Sequence, residues 1–203
     1  MSIGVHELTE ADLRQLAEQG ATELDGATLR IGSKGLLLHP RRPIEVELVL
    51  PSLRELVING SGDSNVNGFS GERLSVQLQG SGNLTFNGRY KNVEAGVHGS
   101  GDLNLNTGHG ETVMLEMVGS GAITSSGSCK ELTAEVTGSG DLDAEHLASD
   151  KVVVTLLGSG TTNVFARQSA DVTVKGTGDI RVFGNPSGRN VSRSGSGGVS
   201  WVH

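Results

Sequence analysis

From about residue 53 onward, apolar and polar residues alternate along the chain. Leu74, Val76 and Leu78 lead through Gly80 and Gly82 to Leu84 and Phe86 without a slip of parity. The same parity runs through Val93, Ala95, Val97, Gly99, Gly101, Leu103 and Leu105, and through Leu132, Ala134, Val136, Gly138, Gly140, Leu142 and Ala144. It returns in Val152, Val154, Leu156, Gly158, Gly160 and Val164, and in Val172, Val174, Gly176, Gly178, Ile180 and Val182. A period of two predicts extended strands with one buried face.

At the centre of each run stands Gly-Ser-Gly, once as Gly-Thr-Gly. The glycine pairs are Gly60 and Gly62, Gly80 and Gly82, Gly99 and Gly101, Gly119 and Gly121. They continue as Gly138 and Gly140, Gly158 and Gly160, Gly176 and Gly178, Gly195 and Gly197. Successive starts lie 20, 19, 20, 19, 20, 18 and 19 residues apart. A fixed period of this size is the mark of a solenoid. The glycines hold inward positions, leave no side chain to bury and permit backbone angles closed to other residues. Each tripeptide therefore reads as a bend between two strands, with its Ser or Thr facing outward. Polar, turn-rich stretches such as Asn106-Thr107-Gly108-His109-Gly110 and Ser125-Ser126-Gly127-Ser128 are expected to carry the chain into the next coil.

Two strands and a turn per coil predict an all-β parallel β-helix of about eight coils of 18–20 residues. An antiparallel barrel would need a tight hairpin after every strand, and the intervening stretches are too long and lack a regular Asn-Gly or Asp-Gly. Residues 53–203 form the repeats. Residues 1–52 read as an N-terminal cap, the whole being one domain. In the cap, Thr9-Glu10-Ala11-Asp12 resembles a capping box and predicts a helix at about 9–19, closed by Gly20. Asp25-Gly26 predicts a turn between two short strands, and Ile44–Leu50 alternates as another strand. At the far end Arg193 replaces an inward aliphatic residue, and Trp201 is expected to cover the open core.

Outside the apolar parity, candidate chemistry is sparse. A strip of outward positions, Ser61, Asp63, Ser100, Asp102, Ser139, Asp141, Thr177 and Asp179, recurs every second coil. The acids are 39, 39 and 38 residues apart, with Asn83, Ala122, Thr161 and Gly198 between them. Stacked carboxylates would then lie roughly 9–10 Å apart, about a Debye length, so the alternation reads as spacing of like charge. Calcium-binding β-rolls repeat every nine residues with the Asp two places beyond the glycine, and a hard cation takes six or more oxygens. This strip offers neither, so no metal or other cofactor is expected. The histidines His6, His39, His98, His109, His146 and His203 share no ligand spacing. Cys129 is the one cysteine, which excludes an internal disulfide, and it reads as an ordinary thiol in a turn.

The formal charge of −7 and the absence of a Lys/Arg cluster argue against nucleic acid. No apolar run is long enough to span a bilayer as a helix. The N-terminus lacks the pattern of a signal peptide, which leaves cytoplasmic residence open. Paired carboxylates in a groove would signal polysaccharide cleavage; Asp102, Asp141, Asp143, Glu145 and His146, with Arg181 further along, are the residues such an enzyme would use. No insertion builds a cleft around them, so a non-catalytic solenoid is expected. A carbohydrate-active enzyme and a homo-oligomeric packing module are the alternatives.

The combination of Pro51-Ser52-Leu53-Arg54-Glu55-Leu56, the repeated Gly-Ser-Gly-Asp and the ending Gly178-Asp179-Ile180-Arg181-Val182-Phe183-Gly184-Asn185-Pro186 resembles one family. It is the bacterial family described as putative auto-transporter adhesin, head GIN domain. The resemblance spans about residues 25–200. It implies a right-handed single-stranded β-helix and an extracytoplasmic location in the periplasm, outer membrane or cell surface. It also implies a role in adhesion, recognition or structure, with a glycan or surface protein as partner. The chain departs from the family pattern at its front, where the expected helix precedes Leu29-Arg30-Ile31.

Overall fold

The computed structural model describes residues 2–3, 22–25, 28–31, 45–46 and 50–202. The chain divides into two compact units, Met1–Pro51 and Ser52–His203. In the first, β1 (Ser2–Ile3) pairs in parallel with β4 (Glu45–Val46). The strands β2 (Thr22–Asp25) and β3 (Thr28–Ile31) pair antiparallel, Asp25 opposite Thr28, as a turn at Asp25-Gly26 requires. The helix expected at about 9–19 lies outside the described residues. Of the strand expected over Ile44–Leu50, Glu45–Val46 is extended, and Leu50 lies outside any strand.

The second unit is a parallel β-solenoid of eight coils. Its strands are β5 (Glu55–Gly60), β6 (Ser64–Gly80), β7 (Asn83–Gly99), β8 (Asp102–His109), β9 (Thr112–Gly119) and β10 (Ala122–Gly138). They continue as β11 (Asp141–Gly158), β12 (Thr161–Gly176), β13 (Asp179–Phe183), β14 (Gly188–Gly195) and β15 (Val199–Val202). All eleven join one sheet, and every pairing is parallel. No helix occurs among the described residues. Each coil has two arms. Arm A runs into the first glycine of the tripeptide, and arm B leaves after the second.

Parity becomes packing through register. Leu56, Val76, Ala95, Leu115, Ala134, Val154 and Val172 stack in one column of arm A. Large and small residues alternate in the middle of that column, which fills space without strain. In arm B, Leu84, Leu103, Ile123 and Leu142 form the matching column, fully buried. Burying each such side chain stabilises by about 1.5–3 kcal/mol. Only Phe86 and Tyr90 among the aromatics enter the core completely. Their ring centroids are 6.1 Å apart, and the Tyr90 hydroxyl donates to the Leu53 carbonyl at 2.7 Å, fastening the start of the solenoid.

The chain leaves the strands opposite the glycine corner at Gly110-Glu111 and at 184–187, but the other polar stretches there are not the loops expected from their composition. In β6, β7, β10, β11 and β12 the chain stays hydrogen-bonded to its neighbours right round, so Ser125-Ser126-Gly127-Ser128 is strand. The direction change comes from register shifts between Asn67 and Phe69, Thr124 and Ser126, Ser126 and Ser128, Ala144 and Ala148, and Ser149 and Lys151. A bulge bends a strand while keeping most of its pairing, and small polar residues fit the tight inner side. Thr107, Ser125 and Ser149 are buried there. Cys129 is therefore not in a turn. It is buried in β10, with its Sγ 3.3 Å from the Ser149 hydroxyl, which itself donates to the Leu147 carbonyl. Burial pushes the Cys129 thiol pKa up.

Candidate functional site

Each tripeptide forms the tight corner between the arms. Its first glycine has positive φ in all eight coils, from 119° at Gly138 to 143° at Gly158. A side chain is excluded on a second ground, since from the second coil on each corner glycine lies against a glycine of the coil below. A Cβ on Gly140 would sit 2.7 Å from the Gly121 carbonyl oxygen and 2.9 Å from Met117 Cγ. The carbonyl of Gly80 accepts from the N–H groups of both Ser100 and Gly101, at 2.9 and 3.0 Å. Only glycine allows one coil this close to the next.

This corner exposes a column of hydroxyls. Ser61, Ser81, Ser100, Ser120, Ser139, Ser159, Thr177 and Ser196 are all exposed, and the Ser139 and Ser159 oxygens are 3.1 Å apart. Beside them run Asp63, Asp102, Asp141 and Asp179, also exposed. Each acid has a structural partner in the coil above. Asp102 Oδ1 accepts the Ala122 N–H at 3.1 Å, Asp141 Oδ1 that of Thr161 at 2.8 Å, and Asp179 Oδ1 that of Gly198 at 2.9 Å. Asp63 Oδ1 accepts from the Asn83 side-chain amide at 2.8 Å. The 39-residue period thus has a cause beyond spacing of charge: a carboxylate in one coil ties down a donor in the next.

Arm B extends this strip into a flat polar face. Asn65, Thr85, Asn104, Thr124, Asp143, Asn163, Arg181 and Ser200 occupy one outward column in strict register. A further column starts with Asn67, Asn87 and Asn106; the Asn87 amide donates to Asn67 Oδ1 at 2.8 Å. Arm A differs, presenting Met114 and Val153 outward at 51% and 39% exposure.

The residues an enzyme would use are partly gathered. Asp141, Asp143, Glu145 and His146 are close along β11; the Glu145 N–H donates to Asp143 Oδ1 at 3.1 Å, and His146 Nε2 lies 3.3 Å from Glu145 Oε1. Asp102 and Arg181 lie two coils away on either side of that row. Among the described residues no three His, Cys, Asp or Glu side chains are placed to hold one metal ion.

One feature escaped the sequence reading. At the corner opposite the glycines, Glu72, Lys91, Glu111, Lys130, Asp150 and Arg167 form a column of alternating sign. Lys91 meets Glu72 at 2.8 Å, Lys130 meets Glu111 at 2.9 Å, and Arg167 meets Asp150 at 3.4 Å. The hydrogen bond that Lys91 donates to Glu72, helped by the carboxylate's charge, raises the Lys91 pKa, and the one that Lys130 donates to Glu111 lowers the Glu111 pKa in the same way. Its signal was present as acid and base alternating at the coil period.

Comparison places this architecture among known proteins. The family model described as putative auto-transporter adhesin, head GIN domain, matches residues 12–186. A crystal structure of a putative lipid binding protein from Parabacteroides distasonis aligns with a TM-score of 0.76 at 23% identity, covering 91% of this chain and 80% of that one. A putative adhesin from Bacteroides fragilis aligns with a TM-score of 0.57 at 20% identity, covering 91% and 78%. Both likenesses are of fold. No curated protein matches the chain. With the family model covering most of the chain, the protein belongs to the head GIN domain family of putative auto-transporter adhesins.

Proposed function

We propose that this protein is a non-catalytic recognition module of the bacterial envelope that binds an extended glycan along arm B. The observation that carries the reading is the in-register array of hydroxyl, amide and carboxylate groups at the glycine corner and on arm B. Coils repeat every ~4.8 Å, so a linear polymer lying along the solenoid meets equivalent polar groups at each step. Family membership supports a surface role, since the family is described by adhesion. The carboxylates Asp63, Asp102, Asp141 and Asp179 are already engaged with the coil above, which suits fixed acceptors better than proton shuttles.

The test is a glycan-array screen of the purified protein, with and without calcium. Selective binding that disappears when Ser100, Ser139, Asn104 and Thr124 are replaced by alanine, with the fold intact by circular dichroism, supports the face. Binding that survives those four changes removes arm B from consideration. Turnover of any polysaccharide, lost in Asp141→Asn, would replace recognition by catalysis.

A further inference from the structure

The eighth coil differs from the seven before it in charge, and it leaves one edge of the sheet open. From Gly188 to Val202 this coil carries Arg189 and Arg193 and no acid, within a chain whose formal charge is −7. Both arginines are exposed. The strands of this coil, β14 and β15, pair only with β12 and β13, so one backbone edge of each has no strand partner among the described residues. Val191 continues the core column above Val172 and is 40% exposed. Trp201 continues the column above Val182 and is half-buried, packed on the core beside Val199. The Arg189 guanidinium lies 4.6 Å from the Trp201 ring centroid, held by Pro186 O at 3.0 Å and Asn185 Oδ1 at 2.8 Å.

A further coil, or a second copy stacked edge to edge, fits this surface poorly. Arg193 occupies the column that Met117, Val136, Leu156 and Val174 fill below it. Covering it with another strand would bury an unpaired charge, and an inward charge is a recognised guard of open sheet edges. A soluble polyanion would satisfy the arginines but leave Val191, Trp201 and Val202 unused. A bilayer interface uses both sets. Tryptophan settles at headgroup level, arginine takes phosphate oxygens in a fork, and open backbone donors can bond phosphate or water there. An unclosed sheet edge cannot enter hydrocarbon, so contact would be shallow.

We propose that the eighth coil is a membrane-contact tip, built for the headgroup region of an anionic phospholipid bilayer. It is separate from the arm B face, which remains free along the solenoid.

Trp201 is the single tryptophan, so its fluorescence reports on this tip alone. The full chain is titrated with vesicles of phosphatidylglycerol and phosphatidylcholine, and with pure phosphatidylcholine. Anionic vesicles should shift Trp201 emission to the blue, with quenching by lipids brominated near the headgroup, and neutral vesicles should not. Each arginine near an anionic surface contributes about five-fold to partitioning, so Arg189→Gln with Arg193→Gln should weaken it about 30-fold at low salt. Asp102→Asn with Asp141→Asn should leave vesicle binding unchanged, which separates this tip from glycan recognition. Equal partitioning onto neutral vesicles overturns the proposal, as does a double arginine variant that binds like the parent. Inorganic polyphosphate reproducing the full Trp201 shift would also overturn it, by showing that the tip reads charge alone.

Discussion

The two reasons for glycine at the corner can be separated by alanine substitution at four positions. Gly62 has ordinary φ and nothing within 4 Å of a built Cβ. Gly60 has φ 129° but equally open space. Gly121 has ordinary φ, but its Cβ would collide with the Gly101 carbonyl. Gly99 has φ 133° and would collide with the Gly80 carbonyl, the oxygen that accepts from Ser100 and Gly101. Forcing an L-residue into positive φ costs about 1–2 kcal/mol. Opening the corner weakens two hydrogen bonds, each contributing about 1 kcal/mol net. The reduced freedom of the unfolded alanine variant returns about 0.4–1 kcal/mol. Gly99→Ala should therefore destabilise by about 3 kcal/mol, Gly121→Ala by about 1–1.5 and Gly60→Ala by about 1, while Gly62→Ala should be neutral to slightly stabilising. Urea unfolding followed by circular dichroism measures all four. Gly121→Ala matching Gly62→Ala would refute the close-approach argument. Gly99→Ala no worse than Gly121→Ala would refute the backbone one.

Other consequences follow from the same contacts. Burial raises the Cys129 thiol above its ordinary value of 9.0, so the folded state holds that proton more tightly than the unfolded one. Stability from this group is complete below pH 9 and is lost as pH rises through the folded pKa; melts of Cys129→Ser should show a smaller alkaline loss than the parent. Lys91→Glu places a third acid between Glu72 and Glu111 and should lower the melting temperature in 20 mM salt, with most of the loss recovered in 1 M salt. Failure of salt to recover it would remove the ladder as the cause. Tyr90→Phe deletes the donor to Leu53 and should cost about 1 kcal/mol by urea titration. A neutral result would show that water takes over the carbonyl.

The architecture was legible because one signal repeated eight times. Parity through Leu78, Gly80, Gly82 and Leu84 specifies both the strand face and the corner, and no local ambiguity survives such repetition. The opposite corner was misread because composition and geometry disagree there. Ser125-Ser126-Gly127-Ser128 has the residues of a loop, yet parallel neighbours on both sides supply hydrogen bonds that keep it extended. Cys129 was misplaced for the same reason. The hydroxyl column at Ser61 through Ser196 could be read from parity, whereas the carboxylate-to-amide ties could not. They join residues 19 or 20 apart through a side-chain oxygen, and only register reveals them. Val191 and Trp201 show the limit of pattern reading at the last described coil, where parity says inward but no strand among the described residues covers the position.

The ties also change how the acid ladder should be interrogated. If Asp102, Asp141 and Asp179 served only to present charge, alternation would be an odd choice, because a carboxylate in every coil would double the field. If they served only to cap donors, asparagine would do as well, since its Oδ1 accepts in the same place. Alternation follows from combining the two demands. An acid in one coil satisfies an N–H in the next, as Asp141 does for Thr161, and a second acid at that position would set like charges ~4.8 Å apart. Asp141→Asn therefore removes charge and keeps the tie, while Asp141→Ala removes both. Loss of stability with alanine alone assigns the carboxylate to the fold; a loss of glycan binding common to both variants assigns its charge to recognition. An alanine scan by itself would confuse them.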